Sequence, residues 1–154
     1  MAVTLRGSGQ TPVQIVSTTS TTTFTSTATS PTDVTGFTVT ITPTNANNKI
    51  LVMFSTTGSA TNSLNLYLNR NGTNIALGSG GSSKNATICS VPTGNNAYLY
   101  SYSANFLDSP ATTSAVTYKI QADTDGGTFY INRRGSDALF ASPATITVME
   151  LAYA

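Results

Sequence analysis

Residues 106–120 read FLDSPATTSAVTYKI, residues 127–133 read GTFYINR, and residues 144–152 read ATITVMELA. In each segment, apolar and polar side chains alternate with a period of two residues, which is typical of a β-strand with one buried face. Ser109-Pro110 and the run Asp125-Gly126-Gly127 interrupt the alternation, as turns do. The C-terminal third of the chain therefore predicts three strands joined by turns.

The same alternation continues towards the N-terminus. Phe37, Val39 and Ile41 alternate with threonines, and residues 97–107 place an aromatic or small side chain at every second position. The run from Lys49 to Thr56 is almost continuously apolar, which predicts a central strand buried on both faces. Between strands predicted at residues 64–69 and 74–77, Asn71-Gly72 predicts a type I′ hairpin turn.

Residues 17–30 are a run of serine and threonine interrupted only by Phe24 and Ala28. A low-complexity linker or a glycosylated stalk is one interpretation. We favour a strand, because threonine is β-branched and no proline occurs before Pro31. Together the segments predict about nine or ten short strands, as in a sandwich or barrel, and no segment has the 3.6-residue period of a helix. Residues 13–154 are expected to form a single domain.

The composition narrows the classes of function. Charged residues make up 8% of the 154 residues and the net charge is +1, whereas 29 residues are threonine and 18 are serine. Without a basic patch for a phosphate backbone, nucleic-acid binding is not expected. No apolar run approaches the length of a membrane span, so no membrane partner is expected. Weak self-repulsion suits a protein that packs closely against copies of itself.

Groups for catalysis or metal binding are scarce. The chain has no histidine, and its single cysteine, Cys89, is expected to be a buried apolar residue. Asp123 and Asp125 are close enough in sequence to act as a glycosidase pair or a Ca²⁺ pair, but Asp-x-Asp-Gly is common in plain turns. We favour the turn, and we expect a protein that is not an enzyme and has no cofactor.

The strongest candidates for a functional surface are aromatic and basic. Tyr98, Tyr100 and Tyr102 are predicted to share one face of a strand, where they form either a subunit interface, a glycan-binding face or part of the core. Arg133 and Arg134 form the one doubled charge in the sequence. They are predicted to bond a neighbouring subunit, with a local pair to Asp137 or a solvated turn as the alternative.

Residues 1–12 have little periodicity and are predicted to form an extended N-terminal arm. A frayed terminus is the plain alternative. If the arm contacts a neighbouring subunit or a capsid, the candidate contact residues are Val3, Leu5, Arg6 and Gln10. The first residues lack the apolar core of a secretory signal, so we expect synthesis in a host cytoplasm.

Several motifs resemble a family of β-sandwich domains found in virion proteins of tailed bacteriophages. They are residues 33–43 (DVTGFTVTITP), residues 48–52 (NKILV), the segment 106–120, residues 129–133 (FYINR) and residues 145–150 (TITVME). The resemblance implies an all-β, jelly-roll-like antiparallel sandwich that is usually trimeric and has no catalytic residues. It transfers no functional site, because the matching motifs are strands and turns.

The family occurs in two roles. One is a free-standing homotrimer that decorates the capsid and cements it by binding the major capsid protein; the other is the tip of a tail fibre that binds a host surface glycan or receptor. The sequence begins with Met1 and shows no fibre shaft, which favours the decoration role on the capsid surface of the virion. Binding of this kind stabilises a shell by mass action, and three attachment points add avidity.

Overall fold

The computed structural model describes residues 12–79, 84–90 and 95–152. These residues form eleven strands and no helix. The strands are β1 (Gln14–Ser20), β2 (Phe24–Ser26), β3 (Thr32–Ile41), β4 (Lys49–Ala60), β5 (Leu64–Arg70), β6 (Thr73–Ile75), β7 (Ile88–Ser90), β8 (Tyr100–Asp108), β9 (Val116–Asp123), β10 (Phe129–Ile131) and β11 (Ala144–Leu151). The all-β class is confirmed, and the Ser/Thr-rich run contributes to two strands, β1 and β2.

The strands form two antiparallel sheets. In sheet A, β4 pairs with β8 along one edge and with β11 and then β10 along the other; β1 extends the sheet beyond β11, and β2 extends it beyond β10. In sheet B the order is β3-β9-β5-β6, and β7 also pairs with β5.

This strand order is that of a jelly roll. Three strands are each interrupted once, so β1 with β2, β6 with β7, and β10 with β11 count as single strands, which leaves eight in chain order. Sheet A then contains the first, eighth, third and sixth, and sheet B the second, seventh, fourth and fifth. Two four-stranded sheets in this order are two interlocked Greek keys, so the predicted jelly-roll-like sandwich is confirmed.

The core lies between the two sheets and is formed by the inward side of each alternating strand. Phe37 of β3 meets Phe54 of β4 edge to face, with ring centroids 6.2 Å apart. The strand β4 was predicted to be buried on both faces, and this is wrong for its outer face: Leu51 and Met53 are only half-buried. The reason is that β4 is central within sheet A, while one face of that sheet packs on sheet B.

The hairpin between β5 and β6 has the predicted turn. Asn71 and Gly72 have φ angles of 47° and 92°, the left-handed backbone that a type I′ turn requires at both central positions. The turn is fastened on both sides, because the Gly72 N–H donates to Asn69 Oδ1 and the Thr117 N–H donates to Asn71 Oδ1.

A buried ionic cluster fastens the two sheets together at one end of the sandwich. The carboxylate of Asp108, at the end of β8, accepts two bonds from Arg70 Nη1 at 2.8 and 2.9 Å and one from the Tyr118 hydroxyl at 2.7 Å. Arg70 and Tyr118 belong to sheet B, whereas Asp108 belongs to sheet A. Burial and the neighbouring carboxylate raise the pKa of Tyr118, which keeps its hydroxyl protonated as a donor.

A second buried carboxylate joins the first and last strands. Glu150 of β11 is fully buried and accepts hydrogen bonds from Gln14 Nε2 at 2.6 Å, Asn48 Nδ2 at 2.6 Å, and the Thr44 N–H and hydroxyl at 2.7 and 2.8 Å. Burial alone would raise the pKa of Glu150, but the bonds from Asn48, Gln14 and Thr44 outweigh it and lower the pKa to about 2.

The Glu150 cluster makes stability depend on pH in a defined direction. Because the pKa in the fold lies below the ordinary glutamate value of 4.5, the carboxylate stabilises the fold above about pH 4.5 and loses its contribution as the pH falls towards 2. We expect Glu150→Gln to lower the free energy of unfolding at pH 7 by about 2 kcal/mol. Urea unfolding at a series of pH values checks this; a deficit that does not shrink below pH 4.5 would contradict it.

Candidate interaction surface

Two loops meet at the end of sheet A where β10 ends and β8 and β11 begin. Together they form a surface, here called the corner patch, made of Ala97, Tyr98, Leu99, Arg134, Leu139 and Phe140. The side chains of Tyr98, Leu139 and Phe140 are 59%, 80% and 56% exposed. All of these residues except Leu139 line a shallow, open depression.

Arg134 is the charged centre of the corner patch. Its guanidinium carbon lies 4.3 Å from the centroid of the Phe140 ring, and its Nε donates to Asp137 Oδ1 at 2.6 Å. The hydrogen bond with Arg134, reinforced by the Leu139 N–H, lowers the pKa of Asp137, so the carboxylate stays ionised and holds the guanidinium in place. Arg134 is therefore presented in a fixed orientation.

Backbone hydrogen bonds hold the two loops together. Gly135 and Ser136 both donate their N–H groups to the Asn96 carbonyl, at 2.8 and 3.1 Å, and the Arg134 N–H donates to the Phe140 carbonyl at 3.1 Å. The patch is thus ordered before any partner arrives, which reduces the entropy lost on binding.

The buried Asn132 ties this arrangement to the sheet. Its N–H donates to the Thr57 carbonyl of β4 at 2.8 Å, its side-chain oxygen accepts from the Thr56 hydroxyl at 3.0 Å, and its side-chain nitrogen donates to the Thr22 carbonyl at 3.0 Å. Asn132 has a φ angle of 62°, a backbone that asparagine tolerates better than most residues.

The predicted surface residues are only partly brought together. Tyr98 and Arg134 line the same depression, while the Arg133 guanidinium lies over the Tyr130 ring, 5.2 Å from its centroid. Tyr100, at the start of β8, is 37% exposed. Tyr102 is buried in the core and its hydroxyl bonds Ser90 Oγ at 3.1 Å, so for this residue the core alternative fits.

Residues 1–11 of the predicted arm lie outside the described residues. Contact roles for Val3, Leu5, Arg6 and Gln10 therefore stay predictions.

The sequence interpretation missed Leu99, Leu139 and Phe140. The strands were located by alternation, whereas residues 138–141 (ALFA) are a short apolar run between Gly135-Ser136-Asp137 and Ser142-Pro143. A run of large apolar side chains inside a turn-rich loop was the available signal. The run has neither the period of a strand nor that of a helix, so its sequence pattern did not predict whether these side chains are buried or exposed.

The expectation for Cys89 is wrong, because its side chain is exposed. Cys89 is the middle residue of the three-residue strand β7 and pairs with Asn65 on the outer face of sheet B. Its neighbour Ile88 packs against the core instead. Alternation along a short strand therefore turned the cysteine outwards.

The pair Asp123 and Asp125 is engaged by a lysine. The Lys84 ammonium lies 2.8 Å from Asp123 Oδ2 and 3.8 Å from Asp125 Oδ1, and it also donates to the Thr29 carbonyl at 2.7 Å. A cation of the protein thus occupies the place that a bound ion would take between the two side chains. Among the described residues, no three His, Cys, Asp or Glu side chains are grouped to hold a metal, and no helix could cross a membrane.

No protein-family model and no curated protein matches this chain. Solved structures with a similar fold include the infectious bursal disease virus Gx strain (12% identity, TM-score 0.41) and Gt strain (14%, 0.43), and the VP2 subviral particle of infectious bursal disease virus (12%, 0.41). The alignments cover 98%, 99% and 91% of this chain but 44%, 42% and 38% of those chains. This chain thus spans less than half of their length, and similarity of this size identifies no family and no function.

The packing at Gly135 provides a test of the corner patch. A Cβ atom at this position would lie 2.3 Å from Tyr130 Cε2 and 2.7 Å from Asn96 Cβ, so Gly135→Ala must separate the two loops. We expect the free energy of unfolding to fall by about 1–3 kcal/mol, as for an overpacked site. At Gly78 the nearest atom would be 3.7 Å away, and Gly78→Ala is therefore the control. Equal thermal unfolding of both variants would contradict this packing.

Proposed function

We propose that this protein is a non-enzymatic virion structural protein that acts by binding: a homotrimer that decorates the capsid of a tailed bacteriophage and stabilises the shell. The motifs in strands and turns that resemble phage virion domains support this role, and so does the jelly-roll sandwich. The observation that carries the proposal is the corner patch, an exposed and pre-organised apolar surface on a chain with few charges.

The use of the carboxylates supports binding in preference to catalysis. Each of the six is paired with a structural partner: Asp33 with Lys119, Asp108 with Arg70, Asp123 and Asp125 with Lys84, Asp137 with Arg134, and Glu150 with neutral donors. A catalytic carboxylate pair would need two such groups facing a shared cleft. Here the carboxylates fasten strands and loops.

The corner patch has the composition of an energetic centre in a protein interface. Tyrosine and arginine are enriched at such centres, and phenylalanine is enriched at interfaces in general. Tyr98 and Phe140 supply contact area, and Arg134 supplies donors from a fixed position. The proposed partner is the major capsid protein. In a homotrimer three patches would attach together, so weak single contacts would add up through avidity.

A tail-fibre tip that binds a host glycan or receptor is the second candidate. The same depression favours it, because the exposed rings of Tyr98 and Phe140 lie beside a guanidinium in loops at one end of the sandwich. Exposed aromatic rings stack on sugars, and a fixed arginine donates to their hydroxyls. Both candidates use the patch, and they differ in where the protein sits on the particle.

Position on the particle is tested by immunogold electron microscopy of intact virions with antibody against this chain. Gold distributed over the head supports decoration. Gold confined to the tail end would replace decoration by the adhesion role, and particles without gold would contradict both.

The role of the patch is tested by Tyr98→Ala with Phe140→Ala. We expect the double variant to bind capsids lacking this protein about 10–100-fold more weakly, because it loses two aromatic anchors. Co-sedimentation with such capsids measures the change. Leu77→Ala removes an exposed apolar side chain outside the patch and is the control. Unchanged capsid binding by a folded double variant would remove the patch from the interface.

A further inference from the structure

The outer face of sheet A carries a row of apolar side chains from one edge to the other. Ile15 of β1 is directly opposite Met149 of β11, Met149 is opposite Leu51 of β4, and Leu51 is opposite Leu107 of β8. Paired residues in an antiparallel sheet point to the same side, so these four residues form one continuous line, here called the apolar row. Ile15 is 56% exposed and the other three are half-buried.

The rest of this face is uncharged apart from the first residue of β4. The next two rows are Ser17-Thr147-Met53-Asn105 and Thr19-Thr145-Ser55-Ser103. Within the strands that the structure describes, Lys49 is the charged side chain of this face, and it lies at the end beside Leu151. The face thus combines one apolar row with rows made mostly of hydroxyls.

The outer face of sheet B is different. Lys119 donates to Asp33 at 2.6 Å, and Lys84 reaches over the sheet to Asp123 at 2.8 Å. Gln121, Asn69 and Asn74 continue this polar network across three strands. The two outer faces of the sandwich are therefore unlike each other, one with ion pairs and amides and the other with apolar and hydroxyl groups.

We propose that the outer face of sheet A binds the same face of a second copy of this chain. The charge distribution selects this occupant. In a two-fold contact the same face meets itself and only groups on the axis meet their own equivalents. The residues of the apolar row are uncharged, and Lys49, one row away, lies to one side of an axis along the row while its equivalent lies to the other, so the face can meet itself without placing like charges together. A two-fold axis along the row places Leu51 and Met149 of one copy against those of the other.

The size of the face sets the strength of the contact. Four strands at about 4.8 Å spacing and seven residues at about 3.3 Å give roughly 450 Å² in projection. This is less than the roughly 800 Å² that each partner contributes to a standard interface. The pairing is therefore weak and concentration-dependent, and the apolar row, the part of the face with most apolar area, supplies most of its free energy.

This pairing is separate from the proposed role on a capsid and from the proposed three-fold contact. If trimers form, a two-fold contact through sheet A joins one trimer to another. The experiment needs no capsid: its outcome is the oligomeric state of the pure protein, so it can fail while capsid binding succeeds, and the reverse.

The test uses the full chain, sedimentation equilibrium over a concentration series, and four variants. Leu51→Lys and Leu51→Glu each place like charges across the two-fold axis, and each is expected to weaken pairing at least about tenfold. An equimolar mixture of the two is expected to pair again, because unlike charges then meet. Thr40→Lys adds the same charge to the outer face of sheet B and is expected to pair like the unaltered chain. Leu51→Thr suits a strand and is expected to weaken pairing without adding charge.

The outcomes separate clearly. Loss of pairing in both charged variants with recovery in the mixture supports the proposal, as does a weaker pairing of Leu51→Thr. An unaltered chain that does not associate at any concentration overturns it. Unchanged pairing of Leu51→Lys also overturns it. A mixture of the two charged variants that does not pair, although thermal unfolding shows both to be folded, overturns it as well and assigns the face to a different protein.

Discussion

The pairing of β4 on both of its edges is the constraint on which the rest of the molecule depends. This one strand bonds β8 along nine residue pairs on one side, and β11 and β10 in succession on the other. A strand shared in this way fixes the register of sheet A, and register decides which side chains face the core. It also positions both surfaces described above, because Thr57 bonds the base of the corner patch and Leu51 lies within the apolar row.

Charge is used sparingly, and three of the six carboxylates are buried. The buried carboxylates of Asp108, Asp123 and Glu150 each join segments that are distant in the sequence. Hydroxyl groups cover much of the remaining surface, and they need no counter-ion. A protein made in this way has little long-range repulsion to overcome when copies or other proteins approach, which is consistent with a role in a crowded assembly.

Much of the fold could be predicted, because alternation is a local property. The strand β11, Ala144–Leu151, lies within the segment 144–152 that was predicted to be a strand, and Asn71-Gly72 forms the predicted turn. The candidate surface could be predicted only in part. Tyr98, Tyr100 and Tyr102 occupy alternate positions in the sequence, but the strand β8 begins only at Tyr100. Tyr98 precedes the strand and Tyr100 lies at its exposed end, so of the three only Tyr102 is buried in the core.

Phe140 could not be found by pattern, because its position depends on contacts between loops that are distant in the sequence. Asn96 and Gly135 are 39 residues apart, and their bond is set by the sheet beneath them. The same holds for Lys84 and Asp123, which are bonded although they too lie 39 residues apart. Contacts between residues so far apart in the sequence can be assigned only when the topology is known.

The cluster around Glu150 has a mechanical consequence. In the β1–β11 pair, Gln14 is opposite Glu150, so tension on the two ends of the chain would act at this point and open the ladder one bond at a time. Unzipping of this kind resists force poorly unless the first pair is reinforced. The bonds from Gln14, Thr44 and Asn48 to the Glu150 carboxylate reinforce that pair. The β1–β11 ladder is therefore reinforced at the end where tension on the chain termini would begin to open it.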